Sequence, residues 1–259
     1  MILKTKPLHD IQHGEYLVYR AGIVELVGYR FWTESLGSDR EWIIQTTQAR
    51  IYNVLHKEFS NIGSFLYSLR YDYMVFIDGN SKPQKYINIL NKARKVSPVP
   101  LRIAISCGKT PVEAQSKATR ALLSIEVQGL LFDVPNKCRL SPIAAIHSDF
   151  NDFTGKIKEV SIYETYSELT KFYVRLKSFI MRNGGLTFYL GGDNFVSFLP
   201  ARKLNKAIKF LKEVPHLKSG IGVHRIPRRA LTLATKALDE IRENRGNDKV
   251  KVLLFGENA

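Results

Sequence analysis

The chain has 259 residues, with 39 Lys and Arg against 24 Asp and Glu, so its formal net charge is +15 at pH 7. Its 44% hydrophobic and 24% charged residues are typical of a globular protein and exclude a wholly disordered chain. No apolar run approaches the roughly 18 residues of a membrane span. The N-terminus lacks the apolar core of a secretory signal, so we expect a cytoplasmic protein.

The cysteine and histidine patterns restrict the metal chemistry. Two cysteines, Cys107 and Cys138, exclude a disulfide framework. The sequence has no Cys-x-x-Cys pair and no His-x3-His, which argues against zinc. A metal enzyme of this composition would use oxygen ligands and a hard cation such as Mg²⁺. The positive charge suits an anionic small molecule, a nucleotide or, less favoured here, nucleic acid.

The chain aligns with itself as a diverged tandem repeat. At an offset of 121 residues, Trp32-Thr33 falls on Phe153-Thr154 and Asp72 falls on Asp193. After a short gap the offset becomes 116, and Ala118 meets Ala234. Each half has the length of a small domain. We therefore predict an N-terminal extension over 1–20, a first repeat over 21–138 and a second over 139–259.

Residues 1–20, which precede the first repeat, are predicted to form an extra strand at Tyr16–Tyr19 or a loose arm. The elements that follow alternate between period-two and helical spacing. They are a strand at Val24–Val27, a helix at Gln45–Phe59, a hairpin of Ser64–Leu69 and Met74–Ile77, a helix at Tyr86–Arg94, a strand at Leu101–Cys107 and a helix at Pro111–Leu123.

The second half repeats this order, with a tight turn at Gly191-Gly192-Asp193-Asn194, since Gly and Asn accept positive φ. Strand, helix, two strands, helix and strand form a split βαβ unit. The fold prediction is therefore α+β, with two tandem ferredoxin-like domains. The predicted elements are strands at Ala144–Ser148, Leu186–Leu190, Phe195–Leu199, Ser219–His224 and Val250–Phe255, and helices at Ser161–Arg182, at Leu204–Glu213 and from Pro227.

Two carboxylates of the second half are expected at one sheet edge. Asp149 ends the first strand and Asp193 lies in the adjacent hairpin, where together they could hold a divalent metal against a triphosphate. Gly191 and Gly192 would let the backbone approach a ligand, and Asn194 would bind a base or phosphate oxygen. Asp152 would support the site or cap the loop. The alternative is a plain turn beside a solvated Asp149.

Cationic residues of the last long helix are the candidate phosphate contacts. Arg225, Arg228 and Arg229 cluster near its N-terminus, where a bound phosphate would relieve their conflict with the helix dipole. Lys236 is a further candidate on the same helix. The alternative is that these side chains extend into water. We assign His147 to packing.

The first half carries a poorer version of this site. The offset of 121 places Gly28 opposite Asp149, so the first carboxylate is expected to be missing. Asp72 keeps the hairpin position as a third candidate metal ligand, but Tyr73 replaces Asn194. The second half therefore has the better-equipped site.

Five segments, in order, resemble one family. They are Tyr29–Gly37 (YRFWTESLG), Arg70-Tyr71-Asp72, Gly108–Gln115 (GKTPVEAQ), Gly191–Asn194 (GGDN) and Gly220–Val223 (GIGV). From about residue 22 onward, the chain resembles archaeal GTP cyclohydrolase III. The family has an Asp near the end of the first strand of its first domain, whereas this chain reads Val24-Glu25-Leu26-Val27-Gly28.

The resemblance implies two ferredoxin-like domains related to the palm of nucleotidyl cyclases and polymerases. It implies opening of the guanine imidazole ring of GTP and hydrolysis of the triphosphate to a monophosphate. The product would be a formylamino-pyrimidine nucleotide on the way to flavin or deazaflavin cofactors. It also implies Mg²⁺ dependence, stimulation by K⁺ and a homo-oligomer.

The leading hypothesis assigns catalysis to Asp149, Asp193 and Asn194. Gly191, Gly192, Asn194, Arg225, Arg228 and Lys236 would bind the nucleotide. Three alternatives remain open at this point. They are a degenerate GTP-binding paralogue, a nucleotidyl cyclase-like transferase and a nucleic-acid-binding protein.

Overall fold

Two units divide the chain in the computed structural model, which describes residues 2–4, 16–135, 138–151, 153–243 and 250–254. The first unit comprises Met1–Lys109 and Glu113–Leu140. The second comprises Thr110–Val112 and Ser141–Ala259. Within the described ranges, no helix has both the length and the apolarity needed to cross a bilayer.

The sheet of the first unit is built around strand β2, Tyr16–Leu26, which pairs antiparallel with two neighbours. This strand is longer than expected and includes Tyr16–Tyr19. The other elements are β1 (Ile2–Lys4), α1 (Tyr29–Ser35), α2 (Glu41–Asn61), β3 (Phe65–Ser68), β4 (Tyr73–Ile77), α3 (Pro83–Ala93), β5 (Leu101–Gly108), α4 (Pro111–Leu122), β6 (Gly129–Asp133) and β7 (Cys138–Leu140). The strand order is β1-β6-β5-β2-β4-β3, with β7 paired to β2.

The second unit consists of β8 (Ile143–Phe150), α5 (Phe153–Glu159), α6 (Ile162–Arg182), β9 (Leu186–Gly191), β10 (Asn194–Pro200), α7 (Leu204–Lys212), β11 (Leu217–His224), α8 (Pro227–Glu243) and β12 (Val250–Leu254). Its five-stranded sheet has the order β12-β11-β8-β10-β9. In the first unit, β2 lies between β5 and the β3–β4 hairpin. In the second, β8 lies in the same way between β11 and the β9–β10 hairpin. The structure therefore confirms the ferredoxin-like prediction. The short helices α1 and α5 were not expected.

Helix α6 covers one face of the second sheet. Ser161 caps it, since its hydroxyl accepts a hydrogen bond from the Glu164 amide. Leu176 and Ile180 point into a core that includes Ile146 of β8 and Ile221 of β11. This arrangement leaves the alternate residues of β8 and β11 on the opposite face.

Helix α8 packs on that opposite face, and two glycines make its close approach possible. A Cβ at Gly220 would overlap the backbone carbonyl of Ala234, and one at Gly222 would overlap the carbonyl of Ala230. The helix contributes small side chains to the contact, because Ala230 and Ala234 are fully buried. The end of β8 and the last turn of α8 are thereby held together.

Strand pairing corrects the alignment of the two halves. Asp149 pairs with Asn194 and Lys218 in the second sheet. The residue that pairs in the same way in the first sheet is Glu25, opposite Tyr73 and Arg102.

The expectation that Gly28 stands opposite Asp149, leaving the first half without its carboxylate, is therefore wrong. The connection between the short and long helices is residues 36–40 in the first unit but only 160–161 in the second. The offset that holds in the hairpin consequently does not hold in the first strand.

Substitution of Gly220 tests the close packing of α8. The variant Gly220→Ala should lose about 1–3 kcal/mol of unfolding free energy, because the new methyl group must displace the helix backbone. Urea denaturation measures this loss. Lys218→Ala on the same strand is the control and should change the free energy by about 0.5 kcal/mol or less. Equal midpoints for Gly220→Ala and the wild type would contradict the packing argument.

Candidate active site

Two carboxyl groups meet where β8 ends beside the β9–β10 turn. Asp149 is buried near the end of β8, and Asp193 lies half-buried in the turn next to Asn194, the cross-strand partner of Asp149. Burial, followed by the charge of Asp149 and a hydrogen bond with it, raises the pKa of Asp193 above its ordinary 3.8, while Arg242 opposes this shift. The two groups share one small space, and a cation between them would relieve their repulsion.

A chain of hydrogen bonds fixes the side chains around this pair. Asn194 Nδ2 donates to Asp193 Oδ1 at 2.7 Å, and Asn194 Oδ1 faces His147 Nε2 at 3.1 Å. The other ring nitrogen, Nδ1, lies 3.1 Å from the Thr235 hydroxyl. Burial lowers the pKa of His147 below 6.5, so the ring is neutral near pH 7. Because Asn194 Oδ1 can only accept, the neutral ring carries its proton on Nε2 and donates to that oxygen. This contact turns the Asn194 amide nitrogen towards Asp193.

Arg242, in the last turn of α8, is the cationic partner of Asp149. Its Nη2 and Nε atoms donate to Asp149 Oδ2 at 2.8 and 3.3 Å, and its Nη1 atom donates to Asp239 at 3.1 Å. A cation at a helix C-terminus also complements the helix dipole. The buried carboxylate is thus neutralised by a side chain that reaches it from outside the sheet.

The glycine turn leaves one side of the site open. Gly191 and Gly192 have φ values of 102° and 59°, and apart from their chain neighbours no residue has an atom within 4 Å of where a Cβ would stand on either glycine. The hydroxyl of Tyr189 donates to the Gly192 carbonyl at 2.8 Å and holds the turn. A ligand can therefore approach the backbone beside Asp193 without meeting a side chain of the turn.

The donor set fits a hard divalent cation. In the part of the chain that the structure describes, no group of three or more His, Cys, Asp or Glu is placed to hold a metal ion. Asp149 and Asp193 would supply two carboxylates and leave further coordination to water or phosphate oxygens. That is the usual manner of Mg²⁺ binding, since this ion retains several waters.

The predicted arginines lie away from this pair. Arg225 and Arg228 follow the carboxyl end of β11, whereas Asp149 pairs with Lys218 near its start. Six residue positions separate Lys218 from His224, about 20 Å of strand. Both arginines therefore lie far along the strand from the carboxylates, and their contact with the nucleotide stays a prediction.

The remaining predicted residues have different outcomes. Lys236 is exposed on α8 next to Thr235, and its phosphate contact stays a prediction. Asp152 lies outside the described residues.

In the first unit, both equivalent carboxylates have counter-ions, a nearly buried one for Glu25 and an exposed one for Asp72. Glu25 accepts hydrogen bonds from Arg102 Nε at 2.6 Å and from the Tyr73 hydroxyl at 2.8 Å, and only 12% and 11% of the Arg102 and Glu25 side chains are exposed. Asp72 receives two hydrogen bonds from Arg70, at 3.0 and 3.1 Å. The metal role of Asp72 stays a prediction, whereas its guanidinium partner is observed.

Three residues of the second-unit site were missed or misjudged from the sequence. His147 was assigned to packing, and Thr235 and Arg242 were not singled out. A usable signal exists for His147, because residues two apart on a strand share a face and His147 stands two before Asp149. Thr235 and Arg242 are seven residues apart, two turns of one helical face. Only the position of α8 relates them to the strand.

The sequence is similar to named archaeal proteins. The family model "GTP cyclohydrolase III" matches residues 21–254. The protein of that name from Saccharolobus islandicus strain M.14.25 is 37% identical over 223 residues, 86% of this chain and 94% of the relative. The one from Aeropyrum pernix is 37% identical over 225 residues, 86% of this chain and 92% of the relative.

Solved structures give a weaker likeness. A class III adenylyl cyclase-like ATP-binding protein from Pseudomonas aeruginosa has a TM-score of 0.37 and 8% identity, over 93% of this chain and 84% of its own. The GGEEF domain of a diguanylate cyclase from Vibrio cholerae has a TM-score of 0.36 and 15% identity, over 46% of this chain and 85% of its own.

The raised pKa of Asp193 predicts a pH-dependent effect of Asp193→Asn on stability. An acid whose pKa is higher in the folded state binds more protons there, so ionisation costs stability as pH rises above 3.8. The variant keeps an acceptor for Asn194 but has no charge. In metal-free buffer its Tm should exceed that of the wild type at pH 7, and the difference should shrink towards pH 4. A Tm difference that does not change with pH would contradict the inference that ionised Asp193 is destabilised beside Asp149.

The two units should respond differently when their matching carboxylates lose charge. Glu25→Gln breaks a buried ion pair and should cost about 3–5 kcal/mol. Asp149→Asn removes a pair whose arginine side chain is 41% exposed, and should change stability by about 1 kcal/mol or less. Urea denaturation compares the two variants. Equal losses would show that Asp149 is as structural as Glu25.

Proposed function

The chain belongs to the GTP cyclohydrolase III family, and from that premise we propose that it is an enzyme that hydrolyses GTP at the Asp149–Asp193 pair. One water adds to C8 of guanine and the C8–N9 bond breaks, leaving the formyl group on N7. Two further waters cleave the triphosphate to the monophosphate. The product is a formylamino-pyrimidine nucleotide, a precursor suited to flavin or deazaflavin synthesis. The pairing of Asp149 with Asn194, which places it beside Asp193, carries this assignment.

Asp149 and Asp193 are the proposed ligands of Mg²⁺. When bound there, the cation would polarise phosphoryl oxygens and lower the pKa of a bound water. The repulsion between the two carboxylates supports this assignment, because a cation turns it into attraction. Stimulation by K⁺ and assembly into a homo-oligomer, both implied by the family, belong to the same proposal.

The other site residues position the reacting groups. The neutral ring of His147 holds the Asn194 amide, which in turn donates to Asp193 and keeps that carboxylate in place. Gly191 and Gly192 offer an open backbone edge for the nucleotide. Both nitrogens of His147 are already engaged inside the chain. We therefore assign His147 a positioning role.

The chemistry is proposed for the second unit. Glu25 and Asp72, the matching residues of the first unit, are neutralised by Arg102 and Arg70. The alternative of a degenerate paralogue rested on a missing carboxylate, and Glu25 occupies that position. A nucleotidyl cyclase-like transferase would release pyrophosphate, whereas the proposed reaction releases orthophosphate only.

Matched substitutions in the two hairpins test the assignment. With GTP, Mg²⁺ and K⁺, Asp193→Asn should lower kcat/KM at least about 100-fold, because the charge that holds the cation is gone. Asp72→Asn, at the equivalent position of the first unit, should change it only a few-fold. Purine absorbance and phosphate release are followed together.

The reaction products and the activities of the two variants distinguish the proposed hydrolase from its alternatives. Loss of the purine spectrum with two orthophosphates per GTP supports ring-opening hydrolysis. Pyrophosphate without loss of the purine spectrum would indicate the transferase. A large loss in Asp72→Asn with an unchanged Asp193→Asn would move the site to the first unit.

A further inference from the structure

Arg242 already occupies the cationic side of the carboxylate pair. Its Nη2 atom lies 2.8 Å from Asp149 Oδ2, and its Nε atom lies 3.3 Å from the same oxygen. A charge-assisted contact of this kind is about twice as strong as a neutral hydrogen bond. One of the two carboxylate oxygens that Asp149 could offer a divalent cation is therefore engaged by the chain itself.

The guanidinium and a divalent cation compete for Asp149. Mg²⁺ requires ligand oxygens at about 2.0–2.1 Å, so a cation on Oδ2 would stand close to the Arg242 nitrogens. Two positive charges at such separation repel each other strongly in a partly desolvated site. Binding of the cation favours displacement of Arg242.

Arg242 is placed to move at small cost. Its side chain is 41% exposed, against 13% for Asp149, and its second partner, Asp239, is itself 51% exposed. The matching pair in the first unit is different, since Arg102 and Glu25 are both nearly buried. Exposed ion pairs contribute little to stability, so release of Arg242 leaves the fold intact.

We propose that Arg242 is an internal counter-ion that suppresses divalent-cation binding in the nucleotide-free protein and couples metal binding to triphosphate binding. The anionic phosphate oxygens offer the displaced guanidinium a new partner, to which Arg can donate through two nitrogens. This inference rests on the proposed metal site at Asp149 and Asp193. It adds that metal and nucleotide enter as linked ligands.

Linkage makes the proposal quantitative. If the nucleotide raises the affinity for the cation by some factor, the cation raises the affinity for the nucleotide by the same factor. Such coupling typically amounts to about 5–150-fold. In the wild type, part of this factor is the release of Arg242 from Asp149, and removal of the guanidinium should abolish that part.

The experiment measures Mn²⁺ affinity by electron paramagnetic resonance of the free ion, without nucleotide and with guanosine 5′-(β,γ-imido)triphosphate. In Arg242→Gln, Mn²⁺ alone should bind at least about fivefold tighter than in the wild type, and coupling to the nucleotide should fall by a similar factor. Arg242→Lys keeps the charge without the two-nitrogen contact and should lie between them. It also serves as the second variant if Arg242→Gln folds poorly.

Two controls separate this inference from the proposed site. Arg182→Gln removes the same charge from the exposed last turn of α6 and should leave Mn²⁺ affinity unchanged. Asp149→Asn should abolish tight Mn²⁺ binding with nucleotide. If Asp149→Asn does so but Arg242→Gln binds Mn²⁺ as the wild type does, the counter-ion role is overturned and the site stands. If Asp149→Asn binds Mn²⁺ normally, the metal site itself is wrong.

Discussion

Two carboxylates placed side by side at a sheet edge are the constraint on which the second unit depends. Asp149 is buried and Asp193 half-buried, and their proximity raises the pKa of Asp193. A folded chain maintains such repulsion only where the surrounding structure compensates for it. Here Arg242 neutralises one carboxylate, and the His147–Asn194 contacts hold the other. This concentration of perturbed groups is typical of a functional site.

The same pairing geometry produces different sites in the two units. In each sheet a carboxylate near the end of the first strand faces a hairpin residue and a cationic residue of the next strand, Glu25 with Arg102 and Asp149 with Lys218. In the first unit, Arg102 and Tyr73 bind Glu25 directly. In the second, Asn194 takes the place of Tyr73 and the counter-ion comes from α8. The nearly buried ion pair of Glu25 and Arg102 is thus replaced in the second unit by the partly exposed pair of Asp149 and Arg242.

Local sequence signals predicted most of this architecture. Hydrophobic spacing indicated the strands and long helices, and the GGDN turn indicated the hairpin, because these signals depend on near neighbours along the chain. The alignment of the first strands was wrong because unequal helix connections shift the register by a few residues. Arg242 and Thr235 could not be related to Asp149, because their contact depends on how closely α8 packs on Gly220 and Gly222.

The most direct measurement maps the cation itself. Mn²⁺ with GTP broadens the amide resonances of nearby residues, with an effect that falls steeply with distance from the ion. We expect the strongest broadening at Gly192, Asp193 and Asn194, with a weaker effect across the Arg70–Tyr73 hairpin of the first unit. Strongest broadening at Arg70–Tyr73, or none at either hairpin, would contradict a cation site formed by Asp149 and Asp193.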